Sequence, residues 1–305
     1  MGLAEIKNID IKTSAEVNKI MALLCEYAGF RTSSYLANKL QTVFRHASES
    51  ELQDWIVHME QDASKNDLVS LVEDLCNHET YFFRDKAQLD VLSEYIFPEL
   101  IKAKIAQGRY DFSIWSAACS TGEEPYTLAM MLITELVKYG IAYTSGNSEE
   151  IVLQPGCRIE ILGTDISRQA IRIAKEATYQ LQGLDSFRQF PNEYLKFFSG
   201  INTKKENNST LSSSYRKLNQ SVMSLVNFKL FNLISDMPPR YGFDLVLCRN
   251  VMIYIDQLKQ KNIQAMLSKS LSTGAYLMLS PVDTMYCPEL CTPRYVGDWV
   301  LHEKK

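Results

Sequence analysis

The 305-residue sequence predicts an α/β fold that carries an all-helical N-terminal domain. Three observations predict it. Apolar residues recur at helical spacing, uninterrupted by proline, through the first 76 positions. Beyond Tyr110, short apolar runs alternate with amphipathic stretches, as in a mostly parallel sheet with helices on both faces. Several of those runs end in small or polar residues, so the chemistry gathers at one edge of the sheet, where doubly wound folds bind ligands.

The helical stretch runs from about Ser14 to Cys76. Val17, Ile20, Met21, Leu24 and Cys25 share a face, as do Leu52, Trp55, Ile56 and Met59, and then Leu68, Leu71, Val72 and Leu75. Phe30 to Ser48 contains no acid but carries Arg31, Lys39, Arg45 and His46. That is either a basic helix face for an acidic partner or an ordinary solvated face. Strands are expected at Phe112–Ala118, Arg158–Thr164, Asn227–Leu233, Phe243–Cys248 and Ala275–Leu279. Helices are expected at Glu123–Tyr139, Arg168–Ala177 and Gln257–Leu271. The polar stretch Tyr143–Gly156 reads as a surface loop. Gly200–Ser214, rich in Ser, Asn, Thr and Lys, reads as the tip between two short strands of an inserted subdomain or hairpin.

Bulk properties narrow the function. Hydrophobic residues make up 46% and charged residues 22%, an ordinary globular balance. A net charge of −4 argues against a general nucleic-acid binder. No apolar run approaches the roughly 20 residues that span a bilayer, so no membrane insertion is expected. Met1–Asp10 lacks the apolar core of a secretory signal, and a cytoplasmic location follows as the expectation. The seven cysteines are scattered, and Cys287 and Cys291 lack the spacing of a zinc site. No metal is expected.

Three segments carry the chemistry. In Trp115-Ser116-Ala117-Ala118-Cys119-Ser120-Thr121-Gly122-Glu123-Glu124-Pro125 a strand ends, small residues turn the chain, and a helix begins. This is neither a GxGxxG fingerprint nor a phosphate-binding loop, and its acids would repel phosphate. They suit a ligand with a cationic centre and an amine, such as S-adenosylmethionine. In Ile159–Ile166 an apolar strand runs into Asp165, an acid placed to accept from both hydroxyls of a ribose, or to cap the next helix as Ser167 also can. In Phe243–Asp256 a strand ends in Arg249 and Asn250, with Tyr254 near enough to return to the same pocket or to join the core.

These segments, with His78-Glu79-Thr80-Tyr81-Phe82-Phe83-Arg84-Asp85 ahead of them and Phe228–Leu233 between them, resemble the CheR family of chemotaxis-receptor (protein-glutamate) methyltransferases. The resemblance covers about Leu68 to Ser280 in order. It implies a helical receptor-docking domain at residues 1–76 and a Rossmann-like S-adenosylmethionine-dependent methyltransferase domain at 77–305. It also implies a small β-subdomain inserted at about 182–225. Carried over residue by residue, it implies that Arg84 pairs with the methionine carboxylate of the cofactor, with His78 and Thr80 beside it. Ala118 and Glu124 line the loop, Glu124 near the methionine amine. Asp165 holds the ribose, Asn232 and Leu233 border the adenine, and Arg249, Asn250 and Tyr254 close the pocket near the methyl group. Arg84 and Tyr254 are the expected catalytic residues, and S-adenosylhomocysteine is the expected product. The implied partner is the cytoplasmic helical region of methyl-accepting chemotaxis receptors, met by a monomeric enzyme.

Two positions depart from the family pattern. His78 stands where Asn is common, and Ser280-Pro281-Val282-Asp283 replaces a Gly-His-Ser-Glu-like run. They leave open an alternative, a catalytically impaired homologue acting as a cofactor-sensing signalling adaptor. A nicotinamide dehydrogenase is disfavoured by the missing GxGxxG. A base methyltransferase is disfavoured because Arg249-Asn250 is not an Asn/Asp-Pro-Pro-aromatic motif.

Overall fold

The computed structural model describes residues 15–61, 65–144, 150–181, 186–201 and 215–305; the expected tip at 202–214 lies outside them. Four helices open the chain: α1 (Ala15–Ala28), α2 (Ser34–Val43), α3 (Glu49–Gln61) and α4 (Asn66–Leu75). Their apolar stripes meet in one core built on Ile20, Leu24, Leu40, Ile56 and Val72. Ser33 caps α2 by accepting the Leu36 N–H, which satisfies a donor the helix itself leaves free. The basic helix face is corrected here. Arg31 precedes α2 and Arg45 follows it, and Lys39, within it, turns its ammonium inward onto the Leu75 carbonyl at 3.0 Å.

A helical rod not evident from periodicity comes next: α5 (Lys86–Val91), a π-helical turn (Leu92–Ile96) and α6 (Phe97–Ala106). Pro98 reads as a breaker in sequence, yet it falls in the first turn of α6, where no backbone donor is needed. The chain then continues through β1 (Asp111–Ala117), α7 (Glu123–Lys138), β2 (Ala142–Thr144), β3 (Ile151–Leu153), β4 (Arg158–Asp165) and α8 (Arg168–Glu176). Next come β5 (Thr178–Gln180), β6 (Phe198–Ile201), β7 (Tyr215–Leu218), α9 (Gln220–Met223) and β8 (Val226–Leu230). The last elements are β9 (Phe243–Cys248), α10 (Gln257–Ser270), β10 (Leu271–Leu279), β11 (Cys291–Val296) and β12 (Trp299–Lys304).

Seven strands form one sheet in the order β11-β12-β10-β9-β1-β4-β8. The five from β10 to β8 are parallel, and β12 and β11 extend the sheet antiparallel. This is a Rossmann-like sheet. The chain steps outward from β1 to β4 and β8, then returns to β9 and β10, so the strand order reverses beside β1 and opens a crevice at the carboxyl ends. The expected loop at Tyr143–Gly156 is corrected in part: β2 and β3 pair antiparallel, Tyr143 facing Val152, because β-forming residues flank the polar tip. A separate three-stranded sheet, β5-β7-β6, is inserted after α8, its first strand lying ahead of residue 182. β8 ends at Leu230 rather than Leu233, since Asn232 already donates its N–H to the Asp236 carboxylate at 2.7 Å in a turn.

The two lobes are latched together by main chain. The Arg31 N–H donates to the Tyr254 carbonyl at 2.7 Å, and the Asp256 N–H donates to the Gly29 carbonyl at 2.8 Å. No helix among the described residues is long and apolar enough to cross a membrane.

Candidate cofactor and methyl-transfer site

Between the lobes, at the carboxyl ends of β1, β4, β8 and β9, lies a cavity of about 950 Å3. His78, Thr80, Arg84, Ala118, Glu124, Asp165, Asn232, Leu233, Arg249, Asn250 and Tyr254 all line it. Residues separated by up to 176 positions are thus brought to one chamber by the parallel sheet. The helical lobe supplies part of the wall, Arg31 to Ala37, Val72 and Leu75 to Asn77 among it, which sequence motifs gave no sign of.

The turn after β1 is a tight one. Ala118 (φ 61°), Ser120 (φ 49°) and Gly122 (φ 95°) all adopt left-handed backbone conformations. A Cβ at Gly122 would stand 2.8 Å from the Ala174 Cβ of α8, so glycine alone fits there. The Cys119 N–H ties the turn to the Thr164 carbonyl at 2.9 Å. Burial pushes the Cys119 thiol well above its ordinary pKa, so it is a core residue and not a nucleophile.

Asp165 is held by main-chain donors at the chamber wall. Its Oδ2 accepts the Ser120 N–H at 2.8 Å and its Oδ1 accepts the Ser167 N–H at 2.9 Å. Ser167 itself caps α8 by accepting from the Ala170 N–H. A carboxylate has about four lone-pair sites, so accepting capacity is left for a ligand. Burial raises the Asp165 pKa, while the backbone donors Ser167, Ser120 and Ile166 pull it back.

Arg249 is the main departure from expectation. Its side chain is only 1% exposed. Nε donates to Gln88 Oε1 at 2.8 Å, Nη1 to Glu124 Oε2 at 2.9 Å, and Nη2 to the Arg84 carbonyl at 2.8 Å and Asp85 Oδ2 at 3.0 Å. Glu124 also accepts from the Ser116 hydroxyl at 2.7 Å. The guanidinium is therefore committed to protein acceptors, and it braces α7, α5 and the Arg84 segment against the end of β9. Asn250 takes a left-handed conformation (φ 57°), which Asn tolerates. Its N–H donates to Ser280 Oγ at 2.5 Å, and the Ser280 N–H donates to Asp283 at 3.1 Å. The divergent Ser280–Asp283 run thus has a defined task, which is to fix Asn250.

Arg84 lines the cavity; its Nη1 donates to the Glu79 carbonyl at 2.5 Å and, among the described residues, Nη2 and Nε make no hydrogen bond. Phe82 and Phe83 anchor the segment, Phe82 among Tyr179, Phe187, Phe190 and Phe198. His78 lines the wall half-buried, its carbonyl accepting from Ser120 Oγ at 3.5 Å, and Thr80 lies beyond it. Asn232 spans the lobes, Nδ2 donating to the Tyr27 carbonyl at 2.8 Å and Oδ1 accepting the Ile234 N–H at 2.9 Å. Tyr254 Oη accepts from Asn77 Nδ2 at 3.1 Å, which leaves its own proton free to be donated.

Just outside the cavity, Glu123 is 2% exposed and accepts hydroxyls from Ser186 at 2.6 Å and Thr121 at 2.7 Å. Burial raises its pKa. A carboxyl whose folded pKa is raised contributes stability that is full below its unfolded pKa and lost as pH rises through the folded one. Glu123→Gln keeps both contacts, since a hydroxyl accepts as readily as it donates. The variant is expected to be more stable than the parent at pH 7.5, the gap closing as pH falls toward 4.5. Urea midpoints across that range check it, and a constant gap would show that ionisation of Glu123 has no part.

The chamber fits S-adenosylmethionine. It presents the partly committed Arg84 guanidinium for a carboxylate, a buried carboxylate with accepting capacity for ribose hydroxyls, and acidic walls for an amine and a sulfonium. The family description "CheR methyltransferase, SAM binding domain" matches residues 78–289. The chain is 27% identical to the chemotaxis protein methyltransferase of Borreliella burgdorferi, over 91% of this chain and 90% of that one. It is 26% identical to chemotaxis protein methyltransferase 1 of Pseudomonas aeruginosa, over 93% and 85%. A TehB-like SAM-dependent methyltransferase from Corynebacterium glutamicum superposes with a TM-score of 0.35 at 12% identity, covering 67% of this chain and 86% of that one. With the match spanning most of its length and its motif residues gathered around one cofactor-sized chamber, the chain belongs to the CheR family of chemotaxis methyltransferases, with S-adenosylmethionine as cofactor.

Proposed function

We propose that the chain transfers a methyl group from S-adenosylmethionine to glutamate side-chain carboxylates in the helical cytoplasmic region of methyl-accepting chemotaxis receptors, forming methyl esters. The observation that carries this reading is that the Tyr254 hydroxyl, whose oxygen accepts from Asn77 Nδ2 at 3.1 Å, keeps its own proton to donate at the chamber wall. A glutamate, with an ordinary pKa of about 4.3, is already ionised at neutral pH and needs no base. S-adenosylmethionine supplies a methyl group already activated on a sulfonium. The protein's share is to position and to desolvate. Arg84 takes the methionine carboxylate, Asp165 takes the ribose, and Asn232 and Leu233 border the adenine. The free Tyr254 hydroxyl proton orients the incoming carboxylate, with its oxygen held by Asn77. Arg31 at the cavity wall and exposed Arg45 beyond it offer cations to an acidic target.

Incubation with methyl-labelled cofactor and receptor-bearing membranes tests the reading. Label should appear on receptor protein and be released as methanol by alkali, as an ester requires. Alkali-stable label, or none on receptors, would refute the substrate assignment. Tyr254→Phe removes a hydrogen bond to a charged group, worth about 1.5–3 kcal/mol. Turnover should fall roughly 10- to 100-fold, with S-adenosylhomocysteine affinity little changed. Unaltered turnover would take Tyr254 out of the mechanism.

A further inference from the structure

A short turn of the inserted subdomain, Ser186 to Phe190, packs against the segment that carries Arg84. The Phe82 N–H donates to the Ser186 carbonyl at 2.9 Å, which fixes the backbone two residues before Arg84. The Ser186 hydroxyl holds Glu123, and through it Thr121, at the start of α7. Arg188 makes the contact that bears on Arg84. Its Nη2 meets Glu79 Oε1 at 2.8 Å, and its guanidinium lies 3.8 Å from the centre of the Tyr81 ring. Arg84 rests on the same two residues: Nη1 donates to the Glu79 carbonyl at 2.5 Å, and Cζ stands 5.9 Å from the Tyr81 ring. The two arginines thus share one support, and Arg188 lies outside the residues lining the chamber.

We infer that Arg188 is a positioning residue of methyl transfer: by clamping Glu79 and Tyr81 it aims the Arg84 guanidinium at the carboxylate end of the cofactor, and so couples the inserted subdomain to cofactor affinity. The inference rests on the reading that Arg84 binds that carboxylate. Geometry favours it over a merely structural pair. An exposed ion pair alone contributes little. A flat guanidinium stacked on an aromatic ring while bonding a carboxylate holds both groups in a fixed relation, which a lysine cannot do. The Glu79 carboxylate is held below its usual pKa range chiefly by Arg188, in keeping with a formed pair.

The test uses two ligands that differ at the reporting end. S-adenosylhomocysteine carries the amino-acid carboxylate, and 5′-methylthioadenosine lacks it. Calorimetric affinities are measured for the full chain and for Arg188→Gln, Glu79→Gln and Arg84→Gln. Arg188→Gln and Glu79→Gln should each weaken S-adenosylhomocysteine about tenfold, the equivalent of one charge-assisted hydrogen bond. Neither should change 5′-methylthioadenosine by more than about twofold, on the scale of a contact not made. Arg84→Gln should show the same selectivity with a larger loss. If Arg84→Gln separates the two ligands and Arg188→Gln does not, the positioning role is overturned while the Arg84 reading stands. If neither separates them, both fall. If Arg188→Gln weakens both ligands equally, its role is structural and the inference is overturned.

Discussion

Arg249→Met will lower the stability of the protein by about 3–5 kcal/mol, the cost of removing one partner from a buried charge cluster. The reasoning follows from where the guanidinium sits. It is 1% exposed, and its nitrogens serve Gln88, Glu124, Asp85 and the Arg84 carbonyl. Methionine fills much of the space but donates nothing. Glu124, with its side chain 15% exposed, would then keep its charge with only the Ser116 hydroxyl for support. The same substitution frees the Arg84 carbonyl and the Asp85 carboxylate from the end of β9, so cofactor affinity should fall with stability. Urea unfolding gives the first quantity and calorimetry the second. A second variant separates charge from packing: adding Glu124→Gln neutralises the stranded carboxylate, and the double variant should recover part of the loss. A single variant within 1 kcal/mol of the parent would show that the cluster contributes little net stability, as some buried ion clusters do.

The contrast between Arg249 and Arg84 marks how far the sequence could be read. Arg249 follows a strand and Arg84 stands in the segment that links the two lobes, and residue type alone offers either guanidinium to the cofactor. What separates them is which acceptors the fold brings near, and Gln88, 161 positions away, cannot be seen from the motif. The parallel strands were legible because burial on both faces makes them continuous apolar runs bounded by turns. β11 and β12 were not, because they are half-exposed, alternate weakly and include Pro293 at an edge. The rod from Lys86 to Ala106 was hidden by a π-helical turn that breaks the 3.6-residue period, and by Pro98 directly after it. Asp165, Asn250 and Tyr254 were legible as cavity residues from their place after a strand. The partners that orient them come from Ser120, Ser280 and Asn77, and only the tertiary structure supplies those.

Asp165→Ala is expected to weaken S-adenosylhomocysteine binding by roughly 100-fold, since two hydrogen bonds to a charged group are lost at about 1.5 kcal/mol or more apiece. The carboxylate is 8% exposed and spends one lone pair per oxygen on the Ser120 and Ser167 N–H groups. The Ser120 bond crosses from β4 to the turn after β1 and the Ser167 bond leads into α8, so the group proposed to meet the ribose also fixes a loop that lines the chamber. Removal therefore acts twice, on a direct contact and on the shape of the wall. Asp165→Asn divides the two effects. Its Oδ1 can still accept one backbone N–H, whereas its Nδ2 would face the other donor, so the loop is disturbed while one ribose acceptor survives. Its affinity should fall between those of the parent and Asp165→Ala. Heat denaturation with saturating ligand offers an independent reading, because stabilisation follows the ratio of ligand concentration to Kd. The parent should gain stability that Asp165→Ala largely forgoes at equal ligand. Equal affinity in all three proteins would place the ribose elsewhere and leave Asp165 as a brace between two strands.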